Sequence, residues 1–326
     1  MTNRAPDVTG FTSIAAGPHG GIDAAGATNV GNLRPDNEDA FLIATLQRSM
    51  LVHDASPKEA PGFSSSGLAG TLLMVADGMG GEGGGEVASR VAVNTVASYL
   101  LNVLPWMAAS VAPAGGGPAP VSVDEQLASA FVLGDASVKM QAAHSSTPRM
   151  GTTLTMALVL WPELYLAHVG DTRCYLLRAG QLSRLTIDHT MAQKVAEEAS
   201  EPVDPGSDMH HVLWNSLGGA RALPEPQIVR LVLGVGDRLL LCSDGLTKHV
   251  SDVEILSVLS QGESNAASCA RLVGLANAGG GSDNVTVLVA DARATPEAAR
   301  VSNGGEARRA ALAQTLDSSP AARPGC

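Results

Sequence analysis

The chain has 326 residues, 45% of them hydrophobic but only 3% aromatic, and carries a formal net charge of −11. That length holds one large domain or two small ones, with a core built from Val, Leu, Ala and Met. An acidic surface repels nucleic acid and anionic lipid, which excludes both as expected partners; handling phosphate would then require a local cation, either a metal or an arginine.

Residues 1–22 are rich in Gly, Ala and Thr without periodicity and read as a loose leader, and 293–326 read as a disordered tail. The domain expected between them is 23–292, with surface loops at 53–67 and 105–121. Short apolar runs predict strands at 40–46, 71–76, 153–160, 163–169, 174–178, 228–233, 238–242 and 285–290. Ala179-Gly180 is a hairpin turn between 174–178 and 181–185. Helical spacing of Val87, Val91, Thr95 and Tyr99 predicts a helix over 84–104. Capping boxes open two more, at Ser122-Val123-Asp124-Glu125 and Ser251-Asp252-Val253-Glu254, and a fourth over 265–278 stops at Gly279. Strands cluster with strands and helices come in pairs, an α+β layout of packed sheets with helical outer layers.

The N-terminus has no apolar signal core, and no run reaches the roughly 18 apolar residues of a membrane span. The four cysteines, Cys174, Cys242, Cys269 and Cys326, lie far apart without C-x-x-C pairing and read as reduced thiols. A cytoplasmic monomer is the expectation.

The aspartates carry the chemistry. Asp77, Asp171 and Asp244 each follow a predicted strand, and Asp39 and Asp283 each precede one, mostly beside glycine. One such aspartate is an ordinary turn residue. Five that share a rim would repel one another unless cations neutralise them, and oxygen-only ligands select Mg²⁺ or Mn²⁺. Two such ions generate hydroxide at neutral pH and clamp an in-line displacement at phosphorus. An arginine fork to hold the phosphate is then expected, and Arg34, five residues before Asp39, is the candidate.

These residues fall in an ordered set of motifs. They are Gly31-x-x-Arg34-x-x-Asn37-Glu38-Asp39-Ala40, Val75-Ala76-Asp77-Gly78-Met79-Gly80-Gly81, Gly84-Gly85-Glu86-Val87-Ala88-Ser89 and Met150-Gly151-Thr152-Thr153. His168-Val169-Gly170-Asp171-Thr172-Arg173, Thr186-x-Asp188-His189-Thr190, Ser216-Leu217-Gly218-Gly219, Leu241-Cys242-Ser243-Asp244-Gly245-Leu246 and Ser282-Asp283-Asn284-Val285-Thr286 follow. In that order the chain resembles the metal-dependent (PPM, type 2C) protein phosphatases in their bacterial form, from about residue 26 to 290.

The resemblance implies a four-layer αββα sandwich, two antiparallel sheets flanked by helices with a dinuclear metal site at one end. It implies hydrolysis of phosphoserine and phosphothreonine by a metal-bridging hydroxide. Asp77 would bridge two Mn²⁺ or Mg²⁺ ions, with the Gly78 carbonyl on one and Asp244 and Asp283 on the other. Asp171, with Asp244, would hold a third, weaker ion; Glu38, Asp39 and Asn284 would orient metal-bound waters. Arg34 would bind phosphate. Phosphoproteins, including a Ser/Thr protein kinase or its targets, would be the partners in a signalling role. Asp188 and His189 would be structural. Met79 stands where many eukaryotic members carry a histidine acid, leaving protonation of the leaving group to water. The flap 190–215 lacks the arginine common before Leu217-Gly218.

Rivals are weaker. Gly78-Met79-Gly80-Gly81-Glu82-Gly83 fits a dinucleotide-binding glycine pattern, but no ribose-binding acid lies about 20 residues on. Kinase motifs are missing, and no cysteine has an arginine six residues on. His210-His211 reads as a solvated loop. A catalytically inactive phosphoprotein-binding or regulatory module of the same fold is the alternative from another class, disfavoured because all the metal aspartates are present.

Overall fold

The computed structural model describes residues 9–14, 21–46, 70–80, 84–107, 122–145, 147–200, 202–204, 206–219 and 223–293. The expected loop 53–67 and the tail beyond Arg293 lie outside these residues; of the expected loop 105–121, 105–107 extend a helix and 108–121 lie outside them.

Two antiparallel sheets form the centre. In the first, the order is β1 (Thr9–Ile14), β2 (Gly21–Asn29), β13 (Val285–Arg293), β12 (Arg238–Cys242), β9 (Arg173–Arg178) and β10 (Gln181–Arg184). The second runs β11 (Gln227–Val232), β8 (Glu163–Val169), β7 (Leu154–Leu160), β4 (Gly70–Ala76) and β3 (Ala40–Leu46). Ala179 and Gly180 both have positive φ, 50° and 79°, as the tight β9–β10 turn requires.

The strands read as unbroken apolar runs because both faces of each sheet are covered. Leu73 and Val75 of β4 meet Leu239 and Leu241 of β12 and Leu288 of β13 between the sheets. One residue out of phase, Leu72, Met74 and Ala76 face α1 (Gly84–Met107) and α2 (Val123–Ala143). On the other side, Leu240 and Val287 pack on α5 (Asp252–Leu259) and α6 (Asn265–Ala278). This is the expected αββα sandwich. Both capping boxes form: Ser122 Oγ accepts from Glu125 N at 3.2 Å, and Ser251 Oγ from Glu254 N at 3.4 Å. α6 stops at Gly279, which is right-handed at φ −74°; the left-handed turn falls on Gly281 at +55°.

The leader 1–22 needs correction, since it contains β1 and the first residues of β2. The sequence of β2, GIDAAGATN, is mostly Ala and Gly, with Ile22 and Thr28 as its β-branched residues, too few to mark a strand. Small residues are needed there: a Cβ on Gly26 would collide with Leu288 and Phe41 across the sandwich. Three helical elements were not predicted: α3 (Met191–Ala199), a 3-10 turn at Asp208–His211, and the short α4 (Asp244–Thr247). Gly78–Met79 (β5) pairs with Gly151–Thr152 (β6) as a two-stranded ribbon, which removes the dinucleotide-loop reading of that glycine run.

Candidate active site

The antiparallel register carries all five aspartates to one end of the sandwich. Ala40 pairs with Ala76, which sets Asp39 beside Asp77; Leu154 pairs with Val169, placing Asp171 on the same rim. Cys242 pairs with both Arg173 and Val287, so Asp244 and Asp283 close the rim from the other sheet. A cleft of about 430 Å³ there is lined by Arg34, Glu38, Asp77, Gly78, Asp171, Asp244, Asp283 and Asn284. Asp39 sits behind them, accepting from Ser243 Oγ at 2.8 Å.

Local geometry is fixed by backbone anchors. Asp77 donates its N–H to Thr153 Oγ1 at 2.9 Å, and its carbonyl accepts from Thr152 Oγ1 and Thr153 N, both at 2.9 Å. Gly78 and Gly85 pass so close that a Cβ on Gly78 would collide with the Gly85 carbonyl and that of Glu38. Glu38 Oε1 accepts from Gly85 N at 3.1 Å. Asn284 ties down the segment bearing Arg34: its Oδ1 accepts from Glu38 N at 2.8 Å, and its Nδ2 donates to Val30 O and Asp36 O at 2.9 Å each.

The charge balance is uneven. Burial, and then the charges of Asp39, Asp244, Asp171 and Asp283, hold the Asp77 carboxyl well above the usual range. Burial pushes Asp39 up to about 7 against hydrogen bonds from Thr286 and Ser243. Asp171 is also pushed up to about 7, by burial and then by Asp244 and Asp188. Asp283 goes the other way: its burial is outweighed by Lys248 and Arg34, and its carboxyl lies below the usual range. Arg34 Nε and Nη2 reach the two oxygens of Asp283 at 2.8 and 2.9 Å, while its side chain is half exposed at the cleft mouth.

The donor set suits hard divalent cations. Four half-buried aspartates face a space where Asp39 Oδ1 and Asp244 Oδ1 are buried without a hydrogen-bond partner. All candidate ligands are oxygens. Among the described residues no three acids close into a compact ligand shell. The reason is visible: Lys248 and Arg34 draw Asp244 and Asp283 into ion pairs. The residues fit a divalent centre in which these side chains turn inward.

Several lining residues were not singled out as site residues: Gly80, Thr153, His211, Leu213, Ser216 and Lys248. Lys248 was legible in principle as the i+4 neighbour of Asp244, given a helix there. His211 corrects the solvated-loop reading in one respect, since this exposed ring lines the cleft from the flap. Met79, also at the cleft, offers no proton. His189 is structural: its Nδ1 accepts from Gly170 N at 3.2 Å, with Asn215 Nδ2 at 3.0 Å, holding the turn that carries Asp171. Asp188 forms a bidentate pair with Arg173, at 3.0 Å to Nε and 2.7 Å to Nη2.

A larger cleft, about 740 Å³, opens at the opposite end of the sandwich around Leu259 and Arg238. Acidic and basic residues are interspersed there, Arg238 and Arg293 both pairing with Asp291 at 3.0 and 3.4 Å, so it assembles no comparable excess of one sign.

Comparison with known proteins agrees with this geometry. Residues 60–270 match the family model described as protein phosphatase 2C. The serine/threonine protein phosphatase PstP of Mycobacterium tuberculosis is 38% identical over 224 residues, 68% of this chain and 40% of that protein. The chain thus spans about two fifths of the length of the PstP relatives it matches. Serine/threonine phosphatase stp of Listeria welshimeri is 29% identical over 222 residues, 68% of this chain and 84% of the relative. The crystal structure of M. tuberculosis PstP superposes with a TM-score of 0.64 at 32% identity, covering 84% of this chain and 100% of that one. The PstP catalytic domain in complex with two manganese ions gives a TM-score of 0.63 at 33% identity over 84% and 99% of the two chains. With more than half of its length inside the family model and the aspartate rim in place, the chain belongs to the protein phosphatase 2C family.

Proposed function

We propose that the chain hydrolyses phosphoserine and phosphothreonine in proteins, using divalent metal ions. The observation that carries this reading is the convergence of Asp39, Asp77, Asp171, Asp244 and Asp283 on one rim with Arg34 at its mouth. Asp77 and the Gly78 carbonyl would hold one ion and Asp77, Asp244 and Asp283 the other, with Asp171 serving a third, weaker position. Mn²⁺ or Mg²⁺ in these positions supplies charge neutralisation and a water nucleophile at neutral pH. The relative solved with two manganese ions supports that assignment.

The remaining work falls to the chain's own side chains. Glu38, Asp39 and Asn284, braced by Gly85, Ser243 and the 30–36 backbone, orient waters and ligands around the centre. Arg34 presents a planar fork at the cleft mouth that exchanges Asp283 for a substrate phosphate. Met79, also in the lining, has no proton to give, so solvent is left to protonate the departing alkoxide.

Phosphoproteins are the substrates proposed, among them a Ser/Thr kinase or its targets, as the names of the relatives support. Among the described residues no helix is long and apolar enough to cross a membrane, and Cys174, Cys242 and Cys269 are free and buried. The catalytic unit proposed, from β1 to β13, is a monomer that acts in the cytoplasm.

The test is hydrolysis of p-nitrophenyl phosphate and a phosphothreonine peptide with and without Mn²⁺, beside Asp244→Asn. Turnover that needs Mn²⁺ and vanishes in the folded variant is expected, because an amide neither binds nor neutralises the ion well. A folded wild-type chain that binds the peptide without hydrolysing it would establish the inactive-module alternative instead.

A further inference from the structure

Lys248 lies inside the site. It caps α4, its N–H donating to the Asp244 carbonyl at 2.8 Å. That turn of helix is held in place by Gly245, where a Cβ would collide with the Asn284 carbonyl. The backbone therefore aims the lysine back across the rim. Its Nζ stands 2.7 Å from Asp244 Oδ2 and 2.8 Å from Asp283 Oδ2, with the side chain only 27% exposed. These are the two aspartates assigned above to the same metal position.

The rim is thereby split. Asp283 carries Lys248 on Oδ2 and Arg34 on both oxygens, so its charge is compensated by the chain itself. Among the described residues Asp39 and Asp77 have no comparable cation, while one buried oxygen of Asp39 and one of Asp244 lack a hydrogen-bond partner. An ammonium between two carboxylates occupies the space and the lone pairs that a divalent ion needs. A cation entering on the Asp77 side meets uncompensated charge. One entering between Asp244 and Asp283 must first expel a tethered cation, and its apparent affinity falls by the fraction of molecules in which the lysine is out.

We propose that Lys248 is a tethered competitor for Asp244 and Asp283, so that the second metal position fills only at raised divalent-ion concentration and the lysine sets the threshold for metal activation. The inference rests on the metal-centre reading above. It makes Lys248 a positioning residue: it preorganises two ligands in the metal-free chain and yields them when the ion binds. The flexible four-carbon stem, unlike a rigid guanidinium fork, allows that exchange at small cost.

The experiment is a Mn²⁺ titration of the full chain by calorimetry, with free Mn²⁺ followed by electron paramagnetic resonance. Wild type, Lys248→Met and Lys248→Gln are compared. Wild type should show a tighter and a weaker class of ions. Both neutral variants should tighten the weaker class by about tenfold or more and leave the tighter class within about twofold. In EDTA they should melt at lower temperature than wild type, since Asp244 then loses its cation and Asp283 keeps only Arg34, and they should gain more from Mn²⁺. Circular dichroism checks folding, and the polar glutamine serves if methionine disrupts the site. Unchanged weak-class affinity in either folded variant overturns the tethered-cation role and leaves the metal centre standing. No Mn²⁺ binding to folded wild type overturns the metal centre, and this inference with it.

Discussion

Replacing Asp77 by Asn should stabilise the metal-free protein while destroying its response to metal. The side chain is held among Asp39, Asp171, Asp244 and Asp283, and burial is the largest of the penalties on its charge. Each pKa unit by which a carboxyl is raised in the fold corresponds to about 1.4 kcal/mol lost when it must ionise. Neutralising Asp77 should return about 1–2 kcal/mol at pH 7.5, allowing for partial relaxation of the acidic rim. For a domain of this size that is roughly 2–8 °C in Tm. The sign with pH follows from linkage. A carboxyl whose folded pKa lies above its unfolded value, ordinarily 3.8, keeps its contribution below the unfolded value and loses it as pH rises toward the folded one. Asp39 and Asp171, both pushed up to about 7, act in the same direction. Metal-free wild type should therefore lose stability between about pH 4 and pH 7, and Asp77→Asn should flatten that slope. With Mn²⁺ at about 100 times its dissociation constant, wild type should gain about 2.7 kcal/mol, and the variant little. The order of stability then reverses between EDTA and Mn²⁺. Differential scanning fluorimetry at pH 5.0 and 7.5, in each condition, measures all four numbers. A variant less stable than wild type in EDTA at pH 7.5, or one with the full Mn²⁺ increment, refutes the reasoning.

Arg34→Ala should raise KM for a phosphothreonine peptide by about tenfold with a smaller change in kcat, because the fork is half exposed and supplies ground-state phosphate binding; a large fall in kcat at unaltered KM contradicts that role. Asn284→Ala removes three hydrogen bonds that tie Glu38, Val30 and Asp36, and should cost about 2–3 kcal/mol in urea denaturation. The same variant should bind Mn²⁺ more weakly, since Glu38 and Asp39 lose their brace; wild-type stability would show that the segment bearing Arg34 is held by other contacts. Arg173→Met leaves the half-buried carboxylate of Asp188 with only the longer contact to Arg184, 3.3 Å, and should cost about 2–3 kcal/mol with little effect on KM. A catalytic defect without destabilisation would mean that the Arg173–Asp188 pair does more than support the turn.

Much of the sandwich was legible because its strands are covered on both faces. β3, β8 and β12 appear as predicted, at 40–46, 163–169 and 238–242. Runs such as Leu72-Leu73-Met74-Val75-Ala76 need partners above and below, and an apolar pattern announces that need directly. β2 was missed for the opposite reason. Its Ala and Gly residues pack where the neighbours, not the strand, supply the bulk, as Gly26 between Leu288 and Phe41 demonstrates. α3 and the 3-10 turn at 208–211 escaped notice because a short polar flap lacks an apolar stripe of the length that periodicity detects.

The aspartates, their glycine neighbours and Arg34 were determined by the sequence alone, because strand-end chemistry is written in adjacent residues. That they share one rim follows from antiparallel register, which pairs residues as distant as Asn29 and Val285. Lys248 shows what only the tertiary structure decides. Its i+4 spacing from Asp244 allows one local ion pair, but nothing local points to the second, with Asp283. The close approach of Gly245 to the Asn284 carbonyl brings α4 against the segment bearing Asp283, and Lys248 then sits between two carboxylates that lie 39 residues apart in the chain (244 to 283). Charge compensation acts through space at a few ångströms, and sequence distance carries no record of it.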